Sequence, residues 1–61
     1  MTKREHWEQE IIYHIIDLFE VTNSDAQGIF EAHSFEVTQG WGKASLPIEV
    51  AKLICNTDSC S

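Results

Sequence analysis

Residues 7–19 read Trp7-Glu8-Gln9-Glu10-Ile11-Ile12-Tyr13-His14-Ile15-Ile16-Asp17-Leu18-Phe19. Trp7, Ile11, Ile15 and Leu18 recur at helical spacing, with Ile12, Ile16 and Phe19 beside them. At roughly 100° per residue, these side chains cover nearly half the circumference of a helix. A stripe that wide is more than one neighbouring helix covers. It predicts a central helix packed against two elements, or against a second copy of the chain. Thr2 and Glu5 stand at capping-box spacing, in which each side chain satisfies an orphan N–H at a helix start. The first helix is therefore expected over about 3–20.

Beyond it, Thr22, Asn23, Ser24 and Asp25 are all residues that cap helices or make local turns. Ser24 and Gln27 form a second capping-box pair, and Asp25 suits the positive end of a helix dipole. A second helix is expected over about 25–39, with Ile29, Phe30, His33, Val37 and Trp41 on one face. Gly28 costs this helix about 1 kcal/mol against Ala, and its missing side chain would let the first helix approach closely. Either Gly40 or Gly42 is suited to a left-handed C-cap. Ser45 as cap and Pro47 in the first turn then open a third helix over about 46–55. Its apolar face is Ile48, Val50, Ala51, Ile54 and Cys55, and residues 57–61 read as a frayed tail. The expected fold is all-α: a compact three-helix bundle in one domain, 1–61.

Size and charge narrow the function. A core within 61 residues supplies only roughly 3–5 kcal/mol, so support from a disulfide, a metal, tight helix packing or self-association is expected. Self-association is the preferred expectation, because it also explains the wide stripe. Hydrophobic residues at 43% and charged residues at 23% fit a globular rather than a disordered chain. The net charge of −6 disfavours nucleic acid and anionic membrane, which bind through Lys and Arg. It favours a basic protein surface as partner. No stretch approaches the roughly 18 apolar residues of a membrane span. The first residues, MTKREHWEQE, are too charged for a secretory signal, which points to the cytosol. There Cys55 and Cys60 are expected as thiols.

No chemistry-bearing pattern is present. His6, His14, His33 and the two cysteines lack metal-ligand spacing. No Ser, Cys or carboxylate stands at a spacing that predicts a nucleophile–base pair, so neither an enzyme nor a cofactor is expected. Glu10, Asp17 and Glu20 share the polar side of the first helix. This is either a solvated face or a recognition patch for a basic partner. Tyr13 adds an apolar body on another side of that helix. Phe35 points away from the Ile29–Phe30–Val37 face and sits among Glu31, Ser34, Thr38 and Gln39. Large aromatics serve as interface anchors. Trp41 either closes the core or offers a second anchor. The candidate contact residues are thus Phe35, Glu31, Trp41, Tyr13 and Asp17.

The segment Thr22-Asn23-Ser24-Asp25-Ala26-Gln27-Gly28-Ile29-Phe30-Glu31-Ala32, followed by Leu46-Pro47-Ile48-Glu49-Val50-Ala51, resembles short proteins of bacterial and phage or mobile-element origin. The resemblance covers about the last two-thirds of the chain and carries no assigned chemistry. It implies a bacterial or viral setting, in which many short acidic proteins bind and block a larger one. The leading expectation is a non-enzymatic protein-binding module, an inhibitor or adaptor. A homo-oligomeric helical building block comes second. A helix-turn-helix regulator comes third, because its recognition helix would offer only Lys52 for phosphates and bases.

Overall fold

Thr2 opens the first helix as its spacing predicts, with its hydroxyl accepting from the Glu5 N–H at 3.1 Å. The computed structural model describes residues 2–59, with side chains to 57, and is helical throughout apart from short turns. Helix α1 spans Lys3–Phe19, α2 Asn23–Ala32, α3 Ser34–Gly42 and α4 Pro47–Ser59. The all-α expectation therefore holds, but the expected count of three helices does not. The stretch expected as one helix over 25–39 is two.

The division falls at His33, whose φ of −111° and ψ of 32° leave the helical region. Its N–H donates to both the Ile29 and Phe30 carbonyls, and its own carbonyl accepts from Val37 to start α3. His33, Ser34 and Phe35 all rank in the lower half of helix propensity, so the run offers little resistance to a bend. The bend lets two short helices take different partners: α2 packs against α1, and α3 against α4. A regular 3.6-residue period across residues 29–41 hid it.

The cap positions also shift. Thr22, not Ser24, caps α2, accepting from the Asp25 N–H at 3.3 Å. Val21 before that cap and Ala26 after it both join the core, the arrangement of a hydrophobic staple. That contact fixes the helix start earlier than expected. At α4, Ser45 is not the cap. Pro47 takes the first turn, and the Glu49 carboxylate reaches back to accept from the Leu46 N–H at 3.5 Å. Helix α4 also continues through Ser59, so residues 57–59 belong to it rather than to a tail. Residues 60 and 61 lie outside the described residues, and with Cys60 so does any bridge to Cys55.

The core comprises Trp7, Ile11, Ile12, Ile15, Ala26, Val37, Val50, Ala51 and Ile54, with Ile16, Phe19, Val21, Ile29 and Phe30 packed around it. Helix α1 is central, as its stripe predicts, and α2 and α4 cover it. Within one chain they bury the stripe from Trp7 to Ile15 and half-bury Ile16 and Phe19, while Leu18 stays 39% exposed.

Candidate protein-interaction surfaces

The best-defined corner joins α1, α3 and the turn before α4. Trp7 is 9% exposed, and its indole Nε1 donates to the Ser45 carbonyl at 2.9 Å. Its ring meets Trp41 with centroids 5.2 Å apart and planes tilted by 59°, a geometry favourable to aromatic quadrupoles. The Arg4 guanidinium lies 5.9 Å from the centroid of a Trp41 ring and bonds Glu8 at 3.2 Å. Gly40 closes the corner. A Cβ there would stand 2.6 Å from Val50 Cγ2 and 3.6 Å from the Trp7 ring.

The turn that follows explains why neither Gly40 nor Gly42 is left-handed. The Ser45 N–H donates to the Gly40 carbonyl at 2.9 Å, and the Ala44 N–H to Trp41 at 3.1 Å. This is a Schellman pattern with Lys43 as C-cap, so the left-handed position falls on Ala44, with φ 57°. Glu20 after α1 is left-handed too, with φ 55°.

The five residues expected at a contact surface are spread over three helices. Phe35 is 69% exposed on α3, on the side opposite buried Val37 and Gly40. Glu31 is exposed on α2, across the bend at His33. Tyr13 is 63% exposed on α1, with Glu10 three residues before it and Asp17 four after on its side of the helix. Trp41 packs its ring against Trp7 at the edge of the core and stays 38% exposed. Among the described residues no hydrogen bond, ion pair or ring contact joins any of the five to another.

Two features escaped the sequence reading. One is the contact role of small residues: Ala26 is fully buried, and Gly40 lets α3 and α4 meet. The register held the signal, since Gly40 follows Val37 by three positions on one face. The other is the segregation of charge. Every Lys and Arg is Lys3, Arg4, Lys43 or Lys52, so all charged residues between Glu5 and Gly42 are acidic. Asp17, Glu20, Asp25 and Glu31 lie around α2 and the end of α1, and the basic residues of α1, Lys3 and Arg4, stand at its opposite end.

Two of the surface depressions bear on these helices. One of about 180 Å³ lies between α3 and α4, lined by Glu36, Gln39, Gly40, Lys43, Glu49 and Leu53 among others. The other, about 490 Å³ and shallow, follows α2 past Val21, Asp25, Gly28, Ile29, Ala32 and His33. No group of three or more His, Cys, Asp or Glu among the described residues is placed to hold a metal ion. No helix among them is long and apolar enough to cross a membrane. No family model, curated protein or solved structure matches the chain.

Proposed function

We propose that the chain is a non-enzymatic protein-binding module that engages a basic surface of a larger cytosolic protein, as an inhibitor or adaptor in a bacterial, phage or mobile-element setting. The observation that carries this reading is Phe35. A ring 69% exposed contributes nothing to the core beneath α3, whereas aromatic side chains dominate the energetics of protein interfaces. The acidic run from Glu5 to Glu36 supplies complementary charge, which speeds encounter and selects a basic partner.

The test is a tagged capture from host lysate at moderate salt, comparing the native chain with Phe35→Ala and with Glu31→Lys. One protein retained by the native chain should fall about tenfold with Phe35→Ala, the effect of removing an interface anchor worth roughly 1–2 kcal/mol. Glu31→Lys should lower it several-fold and more strongly at low salt. Both residues are exposed, so circular dichroism should show unchanged helicity. Equal capture by all three chains would remove Phe35 and Glu31 as the contact surface.

A further inference from the structure

We propose that the groove along α2 seats a basic amphipathic helix of the partner protein; this rests on the protein-binding reading above and names the element that docks. Ser24, Gly28 and Ala32 stand four residues apart, so they form one row along the helix. Ser24 and Ala32 are exposed, and a Cβ on Gly28 would meet nothing within 4 Å. Among the described residues, none fills the space that Gly28 leaves. A row of small residues is a groove into which a ridge of i, i+4 side chains from another helix fits. Val21 and Ile29 give it apolar walls, and His33 closes its far end. From Val21 to His33 is about 18 Å, enough for roughly three turns of a partner helix.

Charge decides the occupant. Asp25 lines the groove, Glu20 directly precedes Val21, Glu31 lies on the same helix, and the Glu36 carboxylate stands 3.7 Å from His33 Nδ1. No Lys or Arg occurs from Glu5 to Gly42 to offset them. A second copy would bring one net charge of −6 against another and present the same acidic stretch. A helix with Leu or Ile along one face and Lys or Arg along its flanks satisfies both the groove and its rim.

The experiment titrates the ¹⁵N-labelled chain with a synthetic helix of roughly five turns, about 18 residues, with Leu along one face and Lys elsewhere. A control peptide has Glu at every Lys position. The Lys peptide should shift the Ser24, Gly28 and Ala32 amides more than those of Phe35 and Leu53, and the Glu peptide should shift none. Gly28→Gln fills the groove with a good helix former and should weaken the Lys peptide at least tenfold without lowering the melting temperature. Asp25→Asn should weaken it about two- to fivefold. Shifts centred elsewhere, equal binding by Gly28→Gln, equal binding of the Glu peptide, or no binding at millimolar peptide would each overturn the proposal. So would concentration-dependent shifts of the α2 amides in the free chain together with a dimer in light scattering. If host-protein capture survives and still depends on Phe35 while the α2 amides stay still, the groove alone falls. If the Lys peptide seats on α2 but Phe35→Ala leaves capture unchanged, only the Phe35 surface falls.

Discussion

Gly40 and Gly28 both sit inside helices, yet a methyl group at Gly40 would stand 2.6 Å from Val50 Cγ2, while one at Gly28 would meet nothing within 4 Å. Around Gly40, two tryptophans, the Ser45 carbonyl and a buried valine converge, and the missing side chain is the condition for that convergence. Around Gly28 the helix lies open to solvent, and the glycine lowers helix propensity with no internal return. A glycine in a helix is therefore not one kind of signal. At Gly40 it serves the fold. At Gly28 no described residue uses the space.

Replacing Gly40 by Ala gives the largest effect and the sharpest test of this contrast. Overpacking a tight core contact costs about 1–3 kcal/mol, against a helix-propensity gain of up to about 1 kcal/mol. Val50 is 2% exposed and β-branched, so its methyl has little freedom to swing aside. A net loss of about 1–2 kcal/mol is expected, large against the roughly 3–5 kcal/mol that a core of this size supplies. Thermal unfolding followed by circular dichroism measures it. Adding Val50→Ala should cost less in the Gly40→Ala background than in the native chain, because the two changes share one contact. Strict additivity would show that α3 and α4 do not meet there.

Gly28→Ala should have the opposite sign. The helix interior gains up to about 1 kcal/mol, which raises the melting temperature by roughly 4–8 °C in a domain of this size. Destabilisation would mean that α2 packs its open face against something in the free chain, and the contrast between the two glycines would collapse.

From the sequence, Gly28 reads as the glycine of close helix approach and Gly40 as a candidate C-cap; the structure overturns both, because Gly28 faces open space and Ala44 takes the left-handed position. Periodicity identified the apolar side of α1 correctly, since Trp7, Ile11, Ile12 and Ile15 are all buried. It also placed Val50, Ala51 and Ile54 in the core and Phe35 outside. Side-chain volume carries that signal, so residues that act through having little of it were missed: Ala26, Gly40 and the row Ser24–Gly28–Ala32. The bend at His33 was missed for a different reason. It keeps Ile29, Phe30 and Val37 on the core side of two helices, and a 3.6-residue count cannot distinguish that from one straight helix. The contact surface was legible only in pieces. Exposure of Phe35 and Tyr13, and their place on different helices, followed from register, but which of their faces lie together depends on how the helices assemble.

The smallest effect concerns the turn that links the Gly40 corner to α4. Ala44 holds φ 57° at the position after the C-cap, where glycine is the common occupant, while Gly42 lies two residues earlier inside the helix. A left-handed conformation costs an L-residue about 1–2 kcal/mol, and the extra freedom of glycine in the unfolded chain returns about 0.4–1 kcal/mol of that. Ala44→Gly should therefore stabilise the chain by about 0.5 kcal/mol, read as a higher denaturant midpoint at unchanged m. Gly42→Ala has open space for its methyl and restores helix propensity, so the exchange of both residues should exceed either change alone. A loss on Ala44→Gly would show that the Gly40 and Trp41 carbonyls do not hold this turn. The Ser45 carbonyl would then have to reach Trp7 by another path, and the corner that distinguishes Gly40 from Gly28 would rest on side chains alone.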